Sequence, residues 1–306
     1  MTFLDLAGIS TTALLKHKLR SGLTLLGIVI GIISVSSITS VVRGIDRYMA
    51  ALLGSMGSEG FAVTRIGMVM SEGEFMKAMK RREIRPDVVD AIKEQCPSVA
   101  HAAPFVRTIA RVKSGRLSAD DVYVEGTTEE AQFMTEIGLE EGRYFTPFEV
   151  QHANQVCIVG ADVAERILAG PDPIGSTIYV KGHRFTVVGS HARMGTIFGI
   201  SRDSFVRIPY TTFERVFGRG VDAEISVRAA GPESVGRAIE EVRGVMRRVR
   251  RLKPRQEDDF GIVSSAALME MWRRLSANIF LAMVGVGSIS LLVGGIGIMN
   301  IMFVSV

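Results

Sequence analysis

The chain has 306 residues, 47% of them hydrophobic and 22% charged, which is more apolar than a soluble protein usually is. The excess is confined to two uncharged runs, Ser21–Val42 and Asn278–Val306, and the segment between them is long enough for a folded core of its own. Outside residues 44–277 the basic residues are Lys16, Lys18, Arg20 and Arg43 and the only acid is Asp5, so most of the formal net charge of +4 belongs to the flank. The nearly neutral middle gives no reason to expect a nucleic-acid surface.

Residues 1–20 carry Leu4, Leu6, Ile9, Leu14, Leu15 and Leu19 and close on Lys16, His17, Lys18 and Arg20. This pattern predicts a cytoplasmic, interfacial amphipathic segment whose basic end meets anionic lipid headgroups. Residues 21–43 follow as a membrane span, since the uncharged run gives roughly 33 Å of helix against a bilayer core of roughly 30 Å. A cleaved signal peptide is the competing reading, with small residues at Ser37–Ser40, but its apolar region is usually only about 7–15 residues. The basic flank before the run places the N-terminus in the cytoplasm and exports residues 44–277. Gly27 and Gly31 form a GxxxG in this span, and Ser290 with Gly294 gives the last run a small-xxx-small pair. These four are the candidate helix-packing residues, equally suited to packing within the chain or to dimerisation.

Ile45, Met49, Leu52, Leu53 and Met56 continue the helical spacing until Gly57 and Gly60. Phe61–Met70 reads as a strand, Pro86–Gln95 as a helix, Val99–Val112 and Asp121–Glu125 as strands about a polar turn at Lys113–Ser118, and Thr127–Glu136 as a helix or turn. QVCIVG from Gln155 is a buried strand and ADVAERILA a short helix. GPDPIG is a turn, and STIYVKGHRFTVVGS a hairpin turning at Lys181 and Gly182. Pro209–Phe217 reads as a helix and Ala223–Val227 as a strand. Short strands alternating with short helices make the middle α+β. Cys96 and Cys157 are too few for a disulfide framework and read as buried thiols, a bridge being open only outside the cytoplasm.

Pro232–Leu252 ends in a basic run, Arg247, Arg248, Arg250, Arg251, Lys253 and Arg255. Val235, Ala238, Ile239, Val242, Val245, Met246, Val249 and Leu252 form an apolar helical stripe, so the arginines are expected on its solvated side, with Glu257, Asp258 and Asp259 as partial counter-charge.

No chemistry-bearing motif stands out. There is no G-x-x-x-x-G-K-[ST] to cradle a nucleotide and no G-x-S-x-G elbow. The glycines of GVGSIS and VGGIGIM lie inside an apolar run rather than after a βαβ strand. His17, His101, His152, His183 and His191 form no ligand-spaced cluster; His183 and His191 could meet across a hairpin but read as surface polar residues. No catalytic, cofactor-binding or metal-binding residue is therefore assigned. The final span, 278–306, has about 29 uncharged residues where roughly 20 suffice, and the sequence stops while still apolar, so the natural protein is expected to continue.

Four stretches together resemble the permease family that includes MacB, LolC and FtsX, and most closely its MacB-type members. They are LLKHKLRSGLTLLGIVIGI, VCIVGADVAERILAGPDPIGSTIYVKGHRFTVVGS, FVRIPYTTFERVFG and SISLLVGGIGIMNIMFVSV. The resemblance implies two transmembrane helices flanking a large α+β extracytoplasmic core domain of two lobes, with Cys157–Phe217 in the inserted one. It implies the permease subunit of a bacterial inner-membrane ABC transporter, with ATP and magnesium bound on a separate cytoplasmic ATPase and no enzymatic activity of its own. In such transporters hydrolysis moves the helices and thereby the exported domain. Expected partners are that ATPase, a second permease copy or paired permease, a membrane-fusion adaptor with an outer-membrane channel, and lipid. This length should not transport alone. The alternative is an FtsX-like interaction module regulating envelope proteins such as cell-wall hydrolases.

Overall fold

The computed structural model describes residues 22, 29–33, 35–47, 59–69, 71–168, 172–197 and 200–305. These fall into two compact units, Leu53–Ala267 and the residues up to Leu52 together with those from Leu268 onward. The expected amphipathic segment 1–20 lies outside the described residues, as do Met49, Leu52, Leu53, Met56 and Gly57.

The larger unit is built on one sheet. Its strands are β1 (Gly60–Thr64), β2 (Val99–Ser114), β3 (Leu117–Thr127), β4 (Leu139–Gly142), β5 (Val156–Val159), β6 (Thr177–Val180), β7 (His183–His191), β8 (Thr196–Ile197), β9 (Ile200–Ser201), β10 (Phe205–Pro209), β11 (Ala223–Ala229) and β12 (Gly261–Ser264). Ten of them join in the order β12-β1-β11-β2-β3-β10-β5-β7-β4, with β6 pairing both β2 and β7; β8 and β9 form a separate hairpin. Neighbours are antiparallel except β3 with β10 and β5 with β7. The mixture confirms the α+β reading of the middle segment.

Local chemistry sets the boundaries. The strand expected over Phe61–Met70 stops at Thr64, because the Thr64 hydroxyl accepts the Gly67 amide at 2.9 Å and Arg81 holds the carbonyls of Arg65 and Ile66 at 3.0 Å. The polar turn at Lys113–Ser118 is tighter than expected: Lys113 pairs with Ser118 and Ser114 with Leu117, leaving Gly115 and Arg116 to turn. The Lys181–Gly182 turn is as expected, and both residues have positive φ, as a two-residue hairpin of this hand requires. Pro86 sits in the turn before its helix, which runs Val88–Gln95. Two unexpected helices begin on side-chain caps. Ser71 caps Glu72–Met79, and Thr146 with Glu149 forms a capping box on Pro147–Gln151.

The principal core lies between the sheet and four helices, Val88–Gln95, Ala161–Ile167, Tyr210–Phe217 and Val235–Val249, which contribute Ile92, Val163, Phe213 and Val242 against Val106, Val124, Phe185 and Ile225. Each such side chain contributes about 1.5–3 kcal/mol relative to exposure. Gly126 is required here: a Cβ on it would come within 2.6 Å of the Phe213 Cβ and 2.7 Å of Val106 Cγ2. The sheet and this core run through Cys157–Phe217 as well as the strands on either side of it. Cys96 and Cys157 are free and buried, and burial raises both thiols above their ordinary range.

The helix Val235–Val249 buries Ala238, Val242, Val245 and Met246, and Val235, Ile239 and Leu252 of the expected stripe pack against the core, while Val249 is exposed. Of its basic run Arg248, Arg251, Lys253 and Arg255 are exposed, as expected of a solvated face, but Arg247 and Arg250 are not. Arg250 is buried, donating to the carbonyls of Arg82 and Glu83 at 3.0 Å and pairing with Asp259 at 2.9 Å. Arg247 pairs with Asp258 and holds the carbonyls of Lys253 and Gln256. These two guanidiniums tie the chain that follows the helix.

Candidate functional site

Three adjacent strands place alternating residues on the sheet face opposite Phe213. In β2, β3 and β10 the pairs are Phe105 and Arg107, Tyr123 and Glu125, and Phe205 and Arg207. The register sets Arg107 opposite Glu125, and Arg207 beside Glu125 from the parallel side. Residues two apart share a face, so the sheet alone assembles a charged row flanked by Tyr123 and Phe205 on one side and Phe105 on the other.

One carboxylate serves two guanidiniums. Glu125 accepts from Arg107 Nε at 2.9 Å through one oxygen, and from Arg207 Nε at 3.1 Å and Nη2 at 2.9 Å through the other. Glu125 and Arg207 are buried, whereas the Arg107 side chain is half exposed. Burial alone would raise the Glu125 carboxyl, but the charges and hydrogen bonds of Arg207 and Arg107 outweigh it and hold the group below the usual carboxylate range. The Arg207 guanidinium carbon lies 4.8 Å from the Phe205 ring centroid and 5.5 Å from that of Phe105, in cation–π range of both.

These strands floor a cavity of about 420 Å³ whose walls include Met134, Thr135, Met194, Arg202 and His191. His191 corrects the expectation of a surface histidine: it is 1% exposed at the end of β7, with Phe205 edge-on at 5.6 Å. His183 is exposed at the other end of the same strand, so the two do not meet. The His191 Nδ1 lies 2.9 Å from the Ala192 carbonyl, which makes Nδ1 the donor and Nε2 the acceptor; Nε2 is buried with no hydrogen-bond partner among the described residues. Burial lowers the pKa of the imidazole and keeps it neutral near pH 7. Beside it the buried Asp203 carboxylate accepts the amides of Met194 at 2.7 Å and Gly195 at 2.9 Å, fixing the loop that carries Met194 to the cavity.

The candidate packing residues belong to the other unit. The helix Val29–Arg47 is long and apolar enough to cross a membrane, and a second helix runs Ser265–Ser305, beginning well ahead of Asn278. Gly31 is buried and lines a groove of about 400 Å³ with Val35, Thr39, Met283 and Gly287. Gly287, which sequence reasoning missed, faces the other helix closely: a Cβ there would come within 3.1 Å of Val35 Cγ2. Gly27 lies outside the described residues, and Ser290 and Gly294 lie in the second helix with surroundings that are likewise outside them.

Of the cavity residues only His191 stands out from sequence, and there as a surface residue. The signal available was a single arginine or glutamate two residues after an aromatic in an otherwise uncharged stretch, as in FVRIP and YVEGT. Their convergence depends on a parallel pairing across residues far apart in the chain.

Comparison with known proteins places this architecture. The model of the MacB-like periplasmic core domain family matches residues 21–245. The macrolide export ATP-binding/permease protein MacB of Bdellovibrio bacteriovorus is 30% identical over 300 residues, covering 96% of this chain and 45% of that protein. The MacB of Syntrophobacter fumaroxidans is 26% identical over 351 residues, covering 96% and 49% respectively. The chain thus spans about half the length of the curated relatives it matches. The periplasmic region of MacB from Actinobacillus actinomycetemcomitans superposes with a TM-score of 0.59 at 16% identity, covering 71% of this chain and 93% of that one. The extracellular domain of the ABC-type transporter YknZ from Gram-positive bacteria superposes with a TM-score of 0.53 at 13% identity, covering 67% and 100%. The fold of the sheet unit is that of the MacB periplasmic region, and the chain belongs to the MacB-like periplasmic core domain family of ABC transporter permeases.

Proposed function

We propose that this chain is the permease part of a MacB-like ABC exporter, in which ATP hydrolysis by an ABC ATPase moves the helices and, through them, the extracytoplasmic sheet unit. The reading places both helices in the bacterial inner membrane, the N-terminus in the cytoplasm and residues 44–277 outside it. The observation that carries it is the order of parts: a MacB-type sheet unit bracketed in sequence by a helix apolar enough to span a bilayer and a second helix uncharged from Asn278 onward. The matched relatives named for macrolide or pyoverdine export favour this reading over regulation of wall hydrolases. A second permease copy, an adaptor and an outer-membrane channel complete the proposed assembly.

The test is to purify the full protein from native membranes and assay ATP hydrolysis on the preparation. The expected result is an ABC ATPase present in stoichiometric amount, with turnover that falls at least severalfold when the protein carrying these helices is depleted. A preparation with no ABC ATPase would sink the proposal.

A further inference from the structure

We propose that the end of the helix Val29–Arg47 and the facing part of the helix Ser265–Ser305 form a binding site for an anionic phospholipid, with arginines on its phosphate and an acyl chain in the groove between the helices. The inference rests on the proposed placement of both helices in a bilayer and names the lipid that this placement selects.

The helices run antiparallel, since Asp46 meets Trp272 and Val35 meets Gly287. The Trp272 indole donates to the Asp46 carboxylate at 2.5 Å, which fixes the faces that oppose each other. An α-helix turns about 100° and rises about 1.5 Å per residue. Arg43 and Arg47 therefore lie about 60° and about 100° around the first helix from Asp46, and Arg273 about 100° around the second from Trp272. In an antiparallel pair these rotations lead to the same flank. The three arginines also fall within about 6 Å of one another along the helix axes.

Charge specifies the sign of the ligand. Arg43 and Arg47 are exposed and have no ion-pair partner among the described residues. Glu270 lies 2.9 Å from Arg274 and 3.6 Å from Arg273. The sequence holds no other charge from Ser21 to Ser58 or from Ser264 to Val306, so four guanidiniums face two carboxylates, Asp46 and Glu270, and the positive excess has no counter-charge in this unit. Guanidiniums hold phosphate through paired N–H donors, and tryptophan favours the depth of the headgroups.

The groove supplies the apolar half. Its lining includes Ser36, Thr39, Phe280 and Val284. By the same rotation Ser36, Phe280 and Val284 lie on the flank that carries the arginines, and Thr39 and Phe280 sit about 10–12 Å further along the helices. A phosphate on Arg43 and Arg47 thus has an apolar slot for its acyl chain beneath it. A free phosphate would leave the slot empty, and a zwitterionic lipid would leave the positive excess unmatched.

Trp272 is the only tryptophan in the chain, so its fluorescence reports on this site. The full chain is reconstituted in mixed bilayers of phosphatidylcholine and phosphatidylglycerol, with one or the other brominated in the upper acyl chain to quench a nearby indole. Quenching against lipid fraction gives the relative affinity. Phosphatidylglycerol is expected to be preferred about fivefold, and Arg43→Gln combined with Arg47→Gln should bring the preference below about twofold. Ser36→Phe, which fills the groove from an exposed position, should halve the preference although every arginine is kept.

Equal quenching by the two lipids would overturn the anionic site and leave the helices in the bilayer. No quenching by either lipid would overturn the placement itself, and the site with it. A preference that persists in the double arginine variant would assign it to other groups and sink the proposal, and one that Ser36→Phe leaves unchanged would take the acyl chain out of the groove. All three substituted positions are exposed, so the variants report on lipid rather than on folding.

Discussion

In the sheet unit Phe185, Phe213 and Ile225 are fully buried and the arginine–glutamate group is neutralised where it sits, whereas in the helix unit Leu281, Leu292 and Phe303 stand 71%, 63% and 77% exposed. The sheet unit supplies its own apolar interior and pairs the charges it removes from water. The described residues of the helix unit offer apolar side chains to whatever surrounds them, and those buried among them are Gly31 and Met283. Apolar area left in water on that scale is unfavourable by roughly 25 cal/mol per Å², a cost that the proposed placement of these helices in a bilayer would remove. On that proposal the two regions meet opposite solvents, and substitutions should sort by which one they touch.

The sharpest break is expected at Glu125. Glu125→Ala leaves the buried Arg207 guanidinium without its carboxylate, and removing one partner of a buried pair costs about 3–5 kcal/mol. Hydrogen exchange on the full chain should show faster opening of the β2, β3 and β10 amides and unchanged protection in the helices. A loss below about 1 kcal/mol would mean that water already solvates Arg207, and the comparison would lose its electrostatic half.

The converse substitution is Gly31→Leu. Placing a large side chain at a buried glycine should separate the two helices at a cost of about 1–2 kcal/mol, while exchange in the sheet unit stays as it was. Disulfide trapping between Val35→Cys and Gly287→Cys reads the approach directly, since a Cβ at position 287 would lie within 3.1 Å of Val35 Cγ2. The expected result is efficient trapping in the parent and severalfold less with Gly31→Leu. Equal trapping would show that the glycine is not what lets the helices close.

What could be read from sequence follows the same division. Strands with a buried face, such as Val99–Ser114 and the hairpin at Lys181–Gly182, announce themselves because alternation and turn chemistry are local. The strand Phe205–Pro209 was not anticipated, because five residues buried on both faces carry no alternation of burial, and β12 is only four residues long. The Arg247–Arg255 run misled for a related reason: helical periodicity reports which side faces the core, but Arg250 lies just past the helix and turns back to bind carbonyls at Arg82 and Glu83. The cavity was the least legible feature. Arg107, Glu125 and Arg207 meet only through register, and His191 was misplaced because its burial depends on Phe205 and the Asp203-anchored loop, neither of which is local to it.

The smallest effect is a pH dependence that belongs to the sheet unit alone. Burial lowers the pKa of His191 below its unfolded value, with Arg207 adding to the shift and the Ala192 carbonyl, Asp203 and Glu125 opposing it. Above roughly pH 6.5 both folded and unfolded chains hold a neutral imidazole, and the group contributes no slope. As pH falls below that value the unfolded chain takes up a proton that the folded one refuses, so the unfolded state binds more protons and stability decreases. The loss stops once the pH is below the folded pKa as well. Thermal melts across pH 7.5 to 5 should show this decline in the parent and a shallower one in His191→Phe. Exchange in the helix Ser265–Ser305, which carries no histidine, should not follow it. An identical slope in the variant would assign the dependence to another group and remove His191 as a neutral acceptor in the cavity.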